Sequence, residues 1–202
     1  MLLSIPLISK SGRVALVPPS EVDDEAVVSL RNDPATRRFQ PFLPLVSITD
    51  IRAQRTAWAA DPNILPFNIH ALEPSGKWKF VGVTRLHRID RYYGNSCEVG
   101  ITMSPKNFGT GLASDAMHTI LEYAFEEQRL RRVTFHTAVE NIIIRGWIER
   151  AGGTFEGIER DYWLDGKGGY EDVRLYSVLY REWVGGCRAR MEQGAAGEKA
   201  RL

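Results

Sequence analysis

From Leu112 onward, apolar residues return with a helical period. Leu112, Ala113, Ala116, Met117, Ile120, Leu121, Ala124 and Phe125 mark one buried face. Asp115, His118, Glu122 and Glu126 fall on the other side and read as its polar face. Before this helix, Cys97 to Met103 reads as extended. Alternation puts Cys97, Val99 and Ile101 on one side and Glu98, Gly100 and Thr102 on the other. After it, Val133, Phe135, Thr137 and Val139 alternate as a second strand. Strand, helix, strand in this order predicts a parallel unit with a right-handed crossover.

The flanking pattern supplies a scaffold. Arg13 to Val17 reads as a first strand, and Ser20 caps a helix through Leu30 with acidic Glu21, Asp23, Asp24 and Glu25 in its first turn. Asp33-Pro34 stops that helix. Phe39 to Pro44 is a proline-rich aromatic loop, and Thr49-Asp50 starts a helix through Ala60. Phe67 to Ala71 and Trp78 to Ile89 read as antiparallel strands joined by Glu73-Pro74-Ser75-Gly76. Met1 to Ile8 lacks a basic region and is interrupted by Pro6, so it reads as a lead-in or edge strand, not a signal peptide. Residues 1–183 are expected to form one domain. Residues 184–202, rich in glycine, alanine and charge, are expected to form a flexible tail.

Composition narrows the class without deciding it. Among 202 residues, 44% are hydrophobic and 25% charged, as in ordinary globular domains. The net charge of +1 gives no global case for nucleic acid or an anionic membrane, and neither partner is expected. Arg129, Arg131 and Arg132 read as a solvated helix-to-strand corner. The two cysteines, Cys97 and Cys187, have no metal-site spacing and fit a reducing compartment, the cytoplasm. No metal is expected.

The candidate chemistry begins at Phe108-Gly109-Thr110-Gly111-Leu112-Ala113, where the strand gives way to the helix. Glycine permits left-handed backbone and close approach by a ligand. The free N–H groups of a helix start, with the positive end of its dipole, suit a phosphate or pyrophosphate. The spacing lacks the third glycine of a dinucleotide fingerprint and the Gly-Lys-Ser/Thr of a P-loop. A tight connection without a ligand would show the same pattern.

Several segments follow in a telling order. Cys97-Glu98-Val99-Gly100-Ile101 precedes the glycine turn; a strand ending in Glu140-Asn141 and a helix through Glu149-Arg150-Ala151-Gly152 come next. Glu156 to Tyr162 and Asp172 to Ser177 complete the series. From about Arg13 to Trp183 this resembles the GNAT superfamily of acetyl-CoA-dependent N-acetyltransferases, in the branch that includes acetylases of ribosomal-protein N-termini. The resemblance implies an α/β fold: a twisted, mixed, mostly antiparallel sheet with a splayed parallel strand pair and helices on both faces. It implies acetyl transfer to a primary amine, of a protein N-terminus or a small molecule, by a monomer or homodimer. It also implies that the turn from Phe108 to Ala113 holds the pyrophosphate of acetyl-CoA, that pantetheine adds beside residues 98–103, and that Asn141 bonds the cofactor. An ordinary helix cap is the other reading of Asn141.

Such a transfer sets chemical demands. A free alkylamine has a pKa of about 10 and must lose a proton, whereas a thiol near 8.5 leaves readily. A backbone N–H among Ile101, Thr102 and Met103 would serve the oxyanion. Glu98 is the first candidate base, with a structural carboxylate paired to an arginine as its alternative; Asp161 in the late hairpin is second. His136 reads as a proton relay or a half-buried structural residue. His118 is discounted, and His70 and His87 carry no positional argument. The chain departs from the family where relatives carry a serine or a tyrosine, since these positions are Ile144 and Ile148. Gly146, Trp147 and Gly153 are further departures. Water, Tyr176 or Tyr180 would then protonate the thiolate, or the protein would be an acyl-CoA-binding module with little or no turnover. The acceptor pocket is expected from the Phe39 to Pro44 loop, the second helix and Tyr162-Trp163. Its lightly acidic lining gives no special case for a polycation.

Overall fold

The computed structural model describes residues 6–38, 40 and 43–199. Its strands are β1 (Leu7–Ile8), β2 (Val14–Val17), β3 (Leu65–Leu72), β4 (Trp78–Asp90), β5 (Ser96–Met103), β6 (Arg132–Ala138), β7 (Thr154–Leu164) and β8 (Tyr170–Leu179). Its helices are α1 (Asp24–Asn32), α2 (Pro34–Arg37), α3 (Ile48–Ala60), α4 (Leu112–Glu122), α5 (Ile142–Ala151), α6 (Tyr180–Glu182) and α7 (Arg188–Lys199). The eight strands form one sheet in the order β1-β2-β3-β4-β5-β6-β8-β7, parallel only between β5 and β6. This is the mixed, mostly antiparallel architecture expected from the sequence.

Local chemistry sets the boundaries. Ser47 and Asp50 cap α3 reciprocally: the Asp50 N–H donates to Ser47 Oγ at 3.2 Å, and the Ser47 N–H donates to Asp50 Oδ2 at 2.7 Å. Ser20, the expected cap of the first helix, makes no such bond. Asp33 ends α1 in extended backbone, and its side chain then accepts the N–H groups of Ala35 and Thr36 to start α2. Leu7–Ile8 is an edge strand, pairing Leu7 with Leu16.

The sheet separates two environments. One face packs its apolar side chains, including Leu16, Leu86, Val99 and Val133, with Met117, Ile120 and Leu121 of α4. On the other, α1 packs against β4 and α3 against β3.

Two expectations are corrected. Asp115 and His118 are each only 4% exposed, so the polar side of α4 is covered. Arg13 meets Asp115 at 2.8 Å and donates to the Thr110 carbonyl at 3.2 Å, bracing the glycine turn from the start of β2. His118 lies against Trp183, with ring centroids 5.5 Å apart, and burial pushes its pKa down. The chain beyond Trp183 is helical to Lys199 where a flexible tail was expected. Trp183 and Cys187 are fully buried, and Met191 is 3% exposed. Cys187 and Met191, four residues apart, share one helix face toward the core, while Trp183 lies before a kink at Gly186 (φ +142°).

Met191→Ala should therefore cost about 2–5 kcal/mol, the usual range for truncating a core methionine. Urea unfolding with an unchanged m-value would show it. A loss below about 0.5 kcal/mol would mean that the segment does not pack in solution.

Candidate active site

The parallel strands part almost as soon as they meet. β5 and β6 pair at Ser96–Arg132, Cys97–Val133 and Glu98–Thr134, and no farther. β5 stays paired with β4 as far as Met103, while β6 stays paired with β8 as far as Ala138. A gap therefore opens beyond Glu98. The direction of the free backbone groups follows from their neighbours. The Gly100 carbonyl accepts from Thr84 Oγ1 on β4, and the Cys97 carbonyl accepts from Thr134 Oγ1 on β6. By alternation, the N–H and C=O groups of Val99, Ile101 and Met103 face the gap.

Beyond Met103 the chain turns through Gly109 and Gly111, both at φ +76°, into α4. A Cβ built at Gly109 would meet nothing within 4 Å, so space stands open there. Phe108 beside it is 58% exposed. Thr110 Oγ1 donates to the Asn107 carbonyl at 2.8 Å, which shapes the turn from within. Leu112 and Ala113 pack partly on the core.

The cleft lies between the sheet and helices α1 and α3, with a volume of about 340 Å³. Paired residues share a face, so the pairs Val83–Thr102, Arg85–Gly100 and His87–Glu98 form its floor. His136 extends that floor from β6, and Trp163 borders it from β7. Over Gly100 the floor is open: a Cβ there would meet only His87 Nε2, at 3.9 Å.

Glu98 stands where the strands part and gathers charged partners. Arg88 Nη1 lies 3.0 Å from Oε2, His136 Nδ1 3.1 Å from Oε2, and His87 Nε2 3.5 Å from Oε1. On its other side His136 meets Glu159 at 2.8 Å, and its ring stacks on Tyr162 with centroids 5.0 Å apart. The two His136 contacts are close but poorly directed along the N–H bonds, as in ion pairs more than ideal hydrogen bonds. Arg88 Nη1 also donates to the Tyr162 hydroxyl at 2.6 Å.

These neighbours decide the protonation states. Burial pushes Glu98 up, but His136, His87 and Arg88 outweigh it and hold the carboxyl below its ordinary range. Burial pushes His136 down, yet Glu98 and Glu159 outweigh that and raise it. His87 is pulled to about 4, first by burial and then by Arg85, so it is neutral at pH 7.

The other sequence candidates are placed differently. Asp161 is exposed and outside the cleft lining. It sits at φ +51° in a bulge of β7 between Glu159 and Trp163, and this bulge carries Tyr162. Tyr176 pairs with Phe135, so it lies on the face opposite His136. It is fully buried and donates to Glu149 Oε1 at 2.7 Å. Tyr180 begins α6 and packs near Phe125, outside the cleft. The Met103 side chain is in the core, leaving only its backbone toward the gap. Asn141 caps α5 by accepting from the Ile144 N–H at 3.4 Å. Of the Phe39 to Pro44 loop, Phe39, Pro41 and Phe42 lie outside the described residues.

Sequence reading gave no role to His87, Arg88 and Glu159, and it expected Tyr162 in the acceptor pocket but not its contacts with His136 and Arg88. His87 needed the β4–β5 register. Arg88 (φ +51°) and Tyr162 hang on strand irregularities that alternation does not predict.

The raised pKa of His136 has a defined sign. Its contribution to stability is fully present below the unfolded value near 6.5 and lost as pH rises through the folded value. Denaturation from pH 5.5 to 9.5 should show this alkaline loss in the parent and a flatter curve in His136→Gln. Identical slopes would mean that the ring is not held as a cation.

Comparison with known proteins follows the same lines. The sequence profile of the acetyltransferase (GNAT) domain matches residues 13–154. The Bacillus subtilis protein YdaF, provisionally named a ribosomal N-acetyltransferase, is 36% identical over 104 residues, covering 52% of this chain and 56% of YdaF. The uncharacterized N-acetyltransferase p20 of Bacillus licheniformis is 30% identical over 105 residues, 52% of this chain and 58% of p20. The chain spans about half the length of the curated relatives it matches. Among solved structures, Mycobacterium smegmatis RimJ in complex with CoA-disulfide has a TM-score of 0.78 at 23% identity, over 96% of this chain and 94% of that one. Spermidine N-acetyltransferase from Vibrio cholerae in complex with CoA and spermine has a TM-score of 0.76 at 22% identity, over 85% and 98%. With the profile covering most of its length, the chain belongs to the acetyltransferase (GNAT) domain family.

Proposed function

We propose that this protein is an acetyl-CoA-dependent N-acetyltransferase acting on a primary amine. The observation that carries this reading is the gap between β5 and β6, with Glu98 at its apex and the Gly109–Gly111 turn beyond its far end. The fit of the residues to CoA is local: free backbone groups of Val99, Ile101 and Met103, open space over Gly109, and the N-terminus of α4. Bound there, acetyl-CoA would supply an acetyl thioester and leave as the thiol, the amine's proton passing in net to sulfur.

Glu98 is ionised and flanked by neutral His87, so a carboxylate and an imidazole nitrogen are both near an amine entering over Gly100. Glu98, directly or through water, is the proton acceptor in this reading. His136, whose protonated form Glu98 and Glu159 favour, holds Glu98 in place and is a positioning residue. The Ile101 and Met103 N–H groups are donors available to a carbonyl oxygen in the gap. Asn141, already a helix cap, retains amide hydrogens for a ligand. No helix among the described residues is long and apolar enough to cross a membrane. Buried, unpaired Cys97 and Cys187 agree with a cytoplasmic site. A non-catalytic acyl-CoA-binding module is favoured by one observation: Ile144 and Ile148 carry no hydroxyl, and Tyr176 is engaged by Glu149.

A thermal-shift titration with acetyl-CoA, CoA, ATP and NAD tests the cofactor. At 100 times its dissociation constant a ligand stabilises by about 2.7 kcal/mol, several degrees in Tm. A shift with CoA species alone supports the reading, and its absence removes it. Thiol release with a panel of amines separates enzyme from binding module. Gly109→Val should raise the acetyl-CoA Kd at least about 10-fold, since a side chain enters the open space and strains a left-handed residue. Unchanged affinity in a folded variant would remove the turn from the cofactor site. Glu98→Gln should lower kcat by about 100-fold or more and alter the rising limb of its pH profile. An unaltered rate would make Glu98 structural.

A further inference from the structure

Four arginines line the cleft, and they are not equivalent. Arg55 is neutralised by Asp24, with two hydrogen bonds of 3.1 and 2.9 Å. Arg88 is neutralised by Glu98 at 3.0 Å. Among the described residues, Arg31 and Arg85 form no ion pair. Arg31 reaches only Gln54 Oε1, at 3.4 Å, and its Nε is buried without a hydrogen bond. Arg85 lies over the Trp58 ring, 5.1 Å from its centroid. Burial pushes both pKa values down, and like charges add to this, Arg37 acting on Arg31 and Arg31 on Arg85. A guanidinium stays protonated nonetheless, so two half-buried cations face the cleft with no ion-pair partner among the described residues, Glu98 acting on Arg85 only at a distance. Buried charge is costly until paired.

We infer that the acceptor is a small amine that also carries a carboxylate, its anion held by Arg85 and Arg31 while its amine faces Glu98. This rests on the acetyltransferase reading above. Register supports it: Arg85 pairs with Gly100, one same-face step along the sheet from the His87–Glu98 pair. That step is ~7 Å, within reach of two long side chains closing on the two ends of an amino acid. The cleft of about 340 Å³ suits a small molecule, and its walls include apolar Val27, Ile51, Trp58 and Val83. A polyamine would bring further positive charge against Arg31 and Arg85, a repulsive element that selects against it.

Matched acceptors test the inference: glycine, leucine and phenylalanine, each against its own amide, with spermidine as the polycation. The amide's amine is the less basic of each pair, so a preference for the acid cannot come from easier deprotonation. For at least one pair, kcat/KM should favour the acid by about 10-fold or more, the yield of one charge-assisted hydrogen bond. Arg85→Gln and Arg31→Gln should each collapse that ratio, with the acetyl-CoA Kd unmoved. Equal use of acid and amide in all pairs, preference for spermidine, or an unchanged ratio in both variants overturns the inference. Loss of acetyl-CoA affinity in both variants would also overturn it, by assigning the arginines to the cofactor. If no amine is acetylated, the acetyltransferase reading fails, and binding then decides the anion site separately. N-acetylphenylalanine should raise the Tm of the parent but not of Arg85→Gln, and no shift beyond that of N-acetylphenylalaninamide refutes the site.

Discussion

The structure turns on how briefly β5 and β6 pair. Buried backbone polar groups need partners, so two strands can part inside a sheet only if each remains bonded on its outer side. Here β4 holds β5 to Met103 and β8 holds β6 to Ala138, while three pairs tie the strands to each other. What remains is an internal strand edge, with the peptide groups of Val99, Ile101 and Met103 turned to a gap that an extended ligand could fill. The same parting fixes the rest. Glu98 is the last β5 residue paired across it, and α4 starts just beyond the far end of β5.

The charges around Glu98 form an interdependent set. Glu98 is stabilised by Arg88 and His136, His136 by Glu98 and Glu159, and Arg88 further by Tyr162. Removing any one member leaves another charge short of its partner, which in a half-buried setting costs more than the lost contact alone. The arrangement is held at some conformational expense. Arg88 and Asp161, on bulges of β4 and β7, both adopt φ +51°. Left-handed backbone at a non-glycine residue costs on the order of 1–3 kcal/mol and persists where surrounding contacts over-determine it. These two bulges bring Arg88 and Tyr162 to the carboxylate, so the strain and the cluster have one origin.

How much of this was legible depends on whether a signal is local. The apolar face of α4 and the shared face of Glu98, Gly100 and Thr102 follow from periods of 3.6 and 2 and needed nothing else. The covered side of α4 did not, because Asp115 and His118 are buried by Arg13 and by the C-terminal helices, distant segments that were read as a first strand and a flexible tail. The tail did hold a signal in the four-residue spacing of Cys187 and Met191, masked by the surrounding glycine, alanine and charge; Trp183 lies before a kink at Gly186. Tyr176 shows a different limit. Parity along β8 gives two faces but not which one looks at His136 until the Phe135–Tyr176 register is known. Gly153, unusual against the resemblance, has a steric reason here: a Cβ would lie 2.5 Å from Ile148 Cγ2.

The missing hydroxyls at Ile144 and Ile148 bear on rate less than on identity. An amine with a pKa of about 10 is almost wholly protonated at pH 7, whereas a thiolate whose conjugate acid lies near 8.5 departs without much help. General acid–base assistance contributes about 10²–10⁴-fold where the proton transfer is difficult. The difficult transfer in this chemistry is at nitrogen, and that is the side on which the chain has invested its buried groups. A site with Glu98 held ionised, His87 held neutral and no engineered acid at sulfur is therefore chemically coherent. Its selectivity would come from whatever brings the amine to Glu98, and the two unpaired arginines across the floor are the groups positioned to do so.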